Sequence, residues 1–291
     1  METAVKEGKY IYCIIAANNS NPVTAVNGTN PIEGQDSSWG TKTFGLLGIG
    51  DRNDELYVIA YEDIAAVVSN SPIISYSISR DNMLAHEKAI EEVMKEYTVL
   101  PVRFCTIAKD EKKVESILEK EYDKFKELLT NVEDKKELGL KAVFNADAVY
   151  NDIVEKHKDI KALKELIKSL PPDKTYFQRV EIGRMVEDAL EKEKEFYKEN
   201  ILNCLSPLAI EFKVNNNYGE RMIINAAFLV EKDRESEFDQ KVQELDTKYG
   251  DKIKFKYVGT LPPFNFVNLV IDTSTSLSVD GERSRTIETG K

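Results

Sequence analysis

Residues 206–231 read SPLAIEFKVNNNYGERMIINAAFLVE and predict a β-hairpin. Two runs rich in β-branched and aromatic residues, 206–215 and 221–231, lie on either side of the polar stretch NNNYGE. Asn and Gly readily adopt the backbone conformations that tight turns require, so this stretch is where the chain reverses. The segments around the hairpin then decide the fold class of the second half of the chain.

These flanking segments complete a split βαβ pattern. Upstream, ELGLKAVFN (137–145) predicts a strand, and two helical stretches follow at about 146–169 and 175–202. Downstream, a helix over about 233–249 precedes the strand KIKFKYVG (252–259). The order strand, helices, strand, strand, helix, strand is that of a ferredoxin-like domain.

The first half of the chain contains short strands and one amphipathic helix. Apolar residues recur every three to four positions from Met83 to Tyr97, and Asp81 is placed to help start this helix. Residues 18–40 are rich in Asn, Ser, Gly and Pro and predict a long loop. If this loop replaces the first crossover helix, the first half has the same architecture as the second. The predicted strands are 9–15, 41–49, 55–61, 64–72 and 98–108.

We therefore predict an α+β protein with two ferredoxin-like domains joined by helices. The first domain covers residues 1–108, and the second covers residues 109–272. The second begins with a linker helix over about 110–130, whose apolar residues share one face. Residues 273–291 contain almost no apolar side chains, so we expect a disordered tail.

Composition excludes several classes of partner. The 291 residues carry a net charge of −11, which argues against nucleic acid because phosphate binding needs clustered Lys and Arg. No apolar run is long enough to cross a membrane, and the first residues lack the apolar core of a signal peptide. Three widely spaced cysteines form no CxxC pair, so neither disulfides nor a zinc cluster is indicated. We expect a cytoplasmic protein.

Enzyme signatures are missing from the sequence. HEKAI (86–90) begins like the helix of a zinc protease, but Ile90 stands where the second metal ligand would be. The other histidine, His157, lies in a charged helical segment. The glycines of GLLGIG (45–50) lack the spacing of a dinucleotide-binding loop. We therefore predict no enzymatic activity and no metal or other cofactor.

Two segments are distinctive in composition and order. Residues 84–108 read LAHEKAIEEVMKEYTVLPVRFCTIA, and residues 258–267 read VGTLPPFNFV. They closely resemble the two best-marked stretches of the gas vesicle protein GvpL/GvpF family, whose patterns are HExxxExxM followed by TVLPxRFGT, and GPWPPYSFV. The matching residues are His86, Glu87, Glu91, Met94, Pro101, Arg103, Phe104, Gly259, Pro262, Pro263, Phe266 and Val267.

The chain departs from the family patterns at three positions. Cys105 stands in the usual glycine position, Leu261 replaces the tryptophan and Phe264 replaces the tyrosine. The last two changes preserve apolar bulk and remove a polar atom, so a role that needs the indole N–H or the hydroxyl is not expected here.

The resemblance implies a protein of gas vesicle formation. Such a protein is an accessory or minor structural component that contacts the small, hydrophobic major shell protein, and other accessory gas vesicle proteins are further candidate partners. It would be found at the gas vesicle and in the cytoplasm. We expect the first domain, with its many short strands, to carry the main shell-protein contact. A sheet edge could add a strand of the partner, and a cleft expected between the domains is the other candidate binding surface. Two alternatives are a ferredoxin-like regulatory protein or enzyme that binds a small ligand, and a passive shell component.

The family segments also suggest structural roles. Arg103 follows Pro101 in an otherwise apolar strand, so its guanidinium could point inward to Glu87 or Glu91 and fix the helix to the strand. His86 is expected to form local hydrogen bonds rather than bind a ligand.

The two prolines of the second segment end a strand and place the aromatic rings that follow. Pro262 and Pro263 could present Phe264 and Phe266 to a partner, because a polyproline segment is already ordered before it docks. Burial of both rings against the second domain is the favoured interpretation, since each buried aromatic contributes about 1.5–3 kcal/mol.

Overall fold

The computed structural model describes residues 6–17, 42–50, 52–168, 170–171 and 174–273. The predicted loop over 18–40 and the predicted tail, apart from Thr273, lie outside these residues. The described residues contain helices and two sheets, which confirms the predicted α+β class. They divide into two compact units. The first unit runs to Glu133 and includes the chain from Val267, and the second unit is Asp134–Phe266.

The first unit is built on an antiparallel sheet with the strand order β2-β3-β1-β4, and a short fifth strand also pairs with β1. Its strands are β1 (Glu7–Ala16), β2 (Tyr57–Tyr61), β3 (Ile64–Pro72), β4 (Val99–Pro101) and β5 (Ile107–Ala108). Its helices are α1 (Arg80–Met94), α2 (Glu111–Lys120) and α3 (Tyr122–Val132).

Strand β1 is buried on both of its faces. Tyr10 and Ile15 belong to the core that α1 covers, whereas Ile11 and Ile14 belong to the core that α2 and α3 cover. An irregularity in the pairing with β3 occurs between Ile11 and Cys13, where the alternation of faces shifts by one residue. A strand buried on both faces reads as a continuous apolar run, as YIYCII does here.

Helix α1 begins at a side-chain cap. The Ser79 hydroxyl accepts the backbone N–H of Asn82 at 3.2 Å, and Asp81 places a negative charge in the first turn. The residues of α1 that are buried against the sheet are His86, Ala89, Ile90 and Val93.

Helices α2 and α3 pack on the opposite face of the first sheet. Val114 and Leu118 of α2 and Phe125 of α3 are fully buried in one core with Ile11 of β1. The predicted single linker helix over 110–130 is therefore wrong in two respects. The chain breaks at Glu121, and both helices belong to the first unit, because their apolar faces are buried against its sheet.

The chain returns to the first unit after the second one ends. Val267 and Leu269 are buried in the same core as α2 and α3. The predicted domain boundaries at 108/109 and 272/273 therefore differ from the structural division at 133/134 and 266/267. The position of a domain boundary depends on the core in which each apolar helix face is buried. The spacing of apolar residues shows that a face is buried but does not show in which core.

The second unit is built on a four-stranded antiparallel sheet with the order β7-β8-β6-β9. Its strands are β6 (Lys135–Phe144), β7 (Glu211–Val214), β8 (Met222–Glu231) and β9 (Ile253–Leu261). Its α-helices are α4 (Ala146–Lys156), α5 (Lys158–Lys168), α6 (Tyr176–Leu205) and α7 (Glu235–Tyr249). Strands β7 and β8 form the predicted hairpin, with Phe212 opposite Phe228.

One core joins the second sheet to its helices. Leu140 of β6 and Phe228 of β8 pack in it with Ile201 of α6 and Phe238 of α7. The first predicted helical stretch, 146–169, is divided into α4 and α5 at His157, which ends α4.

Two predicted strands are shorter than expected. In the predicted strand over 41–49, Thr43 forms an isolated bridge with Tyr57. The predicted strand over 98–108 is divided into β4 and β5, because the chain turns between them. None of the helices in the described ranges combines the length and apolar character needed to span a bilayer.

Candidate partner-binding surfaces

His86 lies in the middle of α1 and is only 2% exposed. Its Nε2 is 3.1 Å from the carbonyl oxygen of Val102, which can only accept, so Nε2–H donates this bond. Its Nδ1 lies 3.1 Å from the Tyr10 hydroxyl and accepts from it. The same hydroxyl accepts the backbone N–H of Cys105 at 2.8 Å. These bonds tie α1 to β1 and to the segment that follows β4.

The surroundings of His86 keep it neutral. Burial lowers the pKa of His86 to about 4, although the hydrogen bond to Val102 acts in the opposite direction. The Tyr12 ring stacks on the imidazole at a centroid distance of 5.7 Å, and the Phe104 ring meets it edge-on at 5.8 Å. His86 is therefore a packing residue of the first unit, enclosed by aromatic rings.

Arg103 does not make the predicted inward contact. Its side chain is exposed, and among the described residues it forms no ion pair with Glu87 or Glu91. Glu87 is half-buried, and both burial and the charge of Glu91 raise its pKa. The alternation of the strand ends at Pro101, because β4 stops there, and the following turn directs Arg103 to solvent.

The backbone of the turn after β4 explains why the family pattern has glycine at the position of Cys105. Cys105 has a φ of +64°, in the left-handed region that favours glycine. Its thiol accepts the backbone N–H of Tyr76 at 3.4 Å. Pro101 is buried at the end of β4, where it pairs in register with Cys13 of β1.

The second family segment ends β9 and turns back over the second sheet. Strand β9 stops at Leu261, and Pro262 and Pro263 that follow it are both buried. The backbone N–H of Phe266 donates to the Pro263 carbonyl at 3.1 Å and closes a turn. A Cβ added to Gly259 would meet no atom within 4 Å, so no steric contact here requires glycine.

The turn is held to the sheet by a buried carboxylate. Glu137 of β6 is 2% exposed and accepts the backbone N–H of Asn265 at 2.9 Å and its side-chain amide at 2.5 Å. Burial raises the pKa of Glu137, and these two bonds partly offset the rise. Lys213 of β7 donates to the Asn265 carbonyl at 2.8 Å and lies over the Phe266 ring at 5.3 Å.

The two phenylalanines of this segment differ in exposure. Phe264 is 42% exposed, so the expected burial of its ring is wrong. Phe266 is half-buried beneath Lys213. The prolines are buried instead of the Phe264 ring, because the turn closes immediately after them.

A group of exposed apolar side chains lies where α5 and α6 meet, and we call it the α6 patch. Phe177 is 81% exposed, and its ring contacts that of Tyr176 at a centroid distance of 5.5 Å. Helices α5 and α6 pack against each other, which brings the end of α5 close to the start of α6. The α6 patch consists of Leu166, Leu170, Tyr176, Phe177 and Val180.

Strand β7 is an open sheet edge. It lies at the end of the strand order, and all four of its residues are exposed. Ile210, Phe212 and Val214 follow at alternate positions and are all exposed apolar residues. The edge strand β4 of the first unit is instead buried throughout.

A shallow depression in the first unit has a charged lining. Several ion pairs involve lining residues: for example, Arg52 bonds Glu7 at 2.8 Å, and Lys9 bonds Glu111 at 3.0 Å. These charges are already compensated within the chain. The lining residues are Glu7, Gly8, Lys9, Arg52, Asn70, Lys109 and Asp110.

Comparison with known proteins places these segments in a family. A family model described as gas vesicle synthesis protein GvpL/GvpF matches residues 8–268, and this range contains both distinctive segments. The chain belongs to the GvpL/GvpF family. Membership implies a role in gas vesicle assembly.

Individual relatives agree with this placement. Gas vesicle protein F of Dolichospermum flosaquae is 31% identical over 198 residues, which cover 67% of this chain and 80% of the relative. Gas vesicle protein F of a Streptomyces strain is 27% identical over 220 residues, which cover 76% of this chain and 91% of the relative. The crystal structure of GvpF from Anabaena sp. aligns with a TM-score of 0.68 at 25% identity, and the match covers 91% of this chain and 99% of that one.

Sequence reasoning missed two residues of the second family segment's environment. Glu137 and Asn265 are 128 positions apart, and nothing in the local pattern links them. The available signal was an acidic residue in an apolar strand, which needs a partner if it is buried. Among the residues that the structure describes, no group of three or more His, Cys, Asp or Glu side chains could hold a metal ion.

Proposed function

We propose that this protein is a non-enzymatic assembly factor that acts at the gas vesicle, binds the small hydrophobic shell protein and helps its incorporation. Family membership supports the assembly role. The observation that carries the binding role is the α6 patch, a group of large apolar side chains on the surface of an acidic protein. Contiguous exposed apolar groups on otherwise charged surfaces mark sites of protein interaction.

The composition of the α6 patch fits a protein interface. Its centre is aromatic, with Tyr176 and Phe177 side by side, and aromatic residues dominate the binding energy of interfaces. Charged residues follow on α6, where Arg184 pairs with Glu181 at 2.8 Å. An apolar centre with a charged rim would shield an unassembled shell subunit and prevent its aggregation.

The structure favours the second unit over the first as the place of this contact. Helices cover both faces of the first sheet, and its edge strand β4 is buried. Among the described residues of the first unit, the exposed large apolar side chains include no aromatic ring; they are Leu46, Ile74, Ile78, Met83, Leu84 and Val270. We therefore propose the α6 patch, rather than the first unit, as the main contact with the shell protein.

We also propose that both units are ferredoxin-like modules. In the second unit, α4 to α6 connect the first and second strands, and α7 connects the third and fourth. Its strand order, second-third-first-fourth, supports this interpretation, and the first unit repeats that order through β4. The connection between β1 and β2 in the first unit includes residues 18–41, which lie outside the described residues.

The binding role is tested by capture of the shell protein with the full chain. Tyr176→Ser, Phe177→Ser and Val180→Ser combined should lower the amount captured about tenfold, because the apolar centre is lost. Phe196→Ser is the matched control, since Phe196 is also exposed on α6 but lies outside the α6 patch. Capture by the triple variant at the wild-type level, with an unchanged melting temperature, would contradict the proposal.

A second experiment separates an assembly factor from a permanent component. Gas vesicles purified by flotation should contain little of this protein relative to the shell protein if it acts only during assembly. A constant ratio to the shell protein through repeated flotation would instead indicate a passive shell component.

A further inference from the structure

The alternation of side chains along β7 separates apolar from charged residues. Within the strand, Phe212 and Val214 lie on one face, and Glu211 and Lys213 lie on the other. Ile210 precedes the strand, and its N–H donates to the Leu229 carbonyl at 2.8 Å. All five side chains are exposed or half-buried, and β7 pairs with β8 on one side only among the described residues. The strand therefore offers an apolar face, a charged face and an open edge at the same place.

The hydrogen-bonding phase of β7 shows which backbone groups face that edge. The Asn215 N–H donates to the Asn225 carbonyl at 2.7 Å, so this opposite pair is a hydrogen-bonded one. Bonded and non-bonded pairs alternate along an antiparallel ladder. Lys213 and Glu211 therefore bond toward β8, and the N–H and C=O of Phe212 point to the open edge.

The sequence of β7 is complementary to itself in the antiparallel direction. A second copy paired about Phe212 places Phe212 opposite Phe212, in a pair that exchanges the two outward-facing hydrogen bonds. Glu211 then lies opposite Lys213, and this pair occurs twice because of the twofold symmetry. Apolar residues meet apolar residues and opposite charges meet, which are the favourable cross-strand pairs.

We propose that β7 is the interface of a homodimer, in which it pairs antiparallel with β7 of a second copy about a twofold axis at Phe212. The two four-stranded sheets then become one continuous sheet. We infer a second copy as the occupant because this self-paired register places Glu211 opposite Lys213 at both ends. Within one chain, Glu211 and Lys213 are 3.6 Å apart, and Lys213 also donates to the Asn265 carbonyl. Both side chains remain about half exposed, so each can also face a charge of the second copy.

Charge reversal tests the register. Sedimentation equilibrium of the full chain should show a reversible dimer. Glu211→Lys and Lys213→Glu should each raise the dissociation constant about tenfold, because each places like charges opposite one another at two sites. An equimolar mixture of the two variants should regain the wild-type affinity, because each cross-strand pair of the mixed dimer again joins a positive to a negative side chain. Melting temperatures of the variants show whether each remains folded.

A proline substitution tests the backbone bonds. Phe212→Pro removes an N–H that faces the open edge and leaves the bonds to β8 in place, so it should abolish the dimer without unfolding the second unit. Phe212→Leu is the matched control and should still dimerise. A monomeric wild-type chain at all concentrations would overturn the proposal, as would a mixture of the charge variants that stays dissociated. If the wild-type chain is monomeric and Phe212→Pro also loses shell-protein capture, the dimer proposal is overturned. The open edge is then assigned to the shell protein.

Discussion

The two sheets share a strand order but are covered differently. In the first unit, α1 covers one face, while α2, α3 and the returning segment at Val267 cover the other. In the second unit, α6 and α7 pack on one face, and the turn at Asn265 binds the other through Glu137. Edge strand β4 of the first sheet is buried, whereas the second sheet leaves β7 exposed, and the start of α6 is exposed as well.

This difference indicates which unit contributes to packing and which exposes aromatic residues for binding. Two residues of the first family segment contribute to packing, since His86 and Pro101 are buried. Among the described residues, the exposed aromatic side chains lie in the second unit, and they include Phe177, Phe212 and Phe264. We therefore expect the first unit to contribute mainly stability and the second to contribute most of the binding.

The largest expected effect tests whether α3 belongs to the first unit. Phe125→Ala should lower the free energy of unfolding by about 3–5 kcal/mol, because a buried phenylalanine is replaced by a cavity. Phe177→Ala is the matched control in the second unit and should change it by less than about 0.5 kcal/mol. Urea denaturation followed by circular dichroism measures both. A cost for Phe125→Ala as small as that of the control would show that α3 is a linker helix.

A second prediction concerns the pH dependence of the first unit. The unfolded histidine binds a proton below about pH 6.5, whereas burial lowers the pKa of His86 in the folded chain to about 4. The contribution of His86 to stability is therefore complete above pH 6.5 and is lost as the pH falls toward 4. Between these values, His86 should contribute a slope of about 1.4 kcal/mol per pH unit.

The matched variant is His86→Gln, which keeps a hydrogen-bond donor but does not titrate. Denaturation of both proteins at a series of pH values gives the slope due to His86 by difference. Equal slopes in the wild type and the variant would mean that His86 is accessible to protons in the folded state.

The smallest effect concerns the turn that covers the second sheet. Glu137→Ala and Asn265→Ala should each destabilise the chain, and a double-mutant cycle should give a coupling of about 1–2 kcal/mol, because the pair is buried and directly hydrogen-bonded. Thermal denaturation of the four proteins measures it. A coupling near zero would mean that the side-chain bond between Asn265 and Glu137 does not hold the turn, which would leave the backbone bond of Asn265 and the contact of Lys213.

Local patterns predicted most of the elements. The strand over 64–72 coincides with β3, and RMIINAAFLVE differs from β8 by one residue at its start. These predictions succeeded because period, capping and turn residues act within a few positions of the chain. The family segments were likewise readable, since each is a contiguous motif.

Long-range features were not predictable in the same way. The apolar faces of α2 and α3 indicated burial, yet nothing in their spacing named the first sheet as their partner. The exposure of Arg103 and Phe264 depends on turns whose direction is set by the strands on either side. Each of these outcomes depends on contacts between residues far apart in the chain.

The sequence by itself determined the α+β class, the hairpin of β7 and β8, the start of α1 and the family. Only the tertiary structure decided the division at Glu133, the bond between Glu137 and Asn265, and the open edge at β7. The physical reason is that backbone preferences and amphipathic periods are local properties of the chain. Which apolar face meets which, and which edge stays unpaired, is settled only when distant segments compete for the same core.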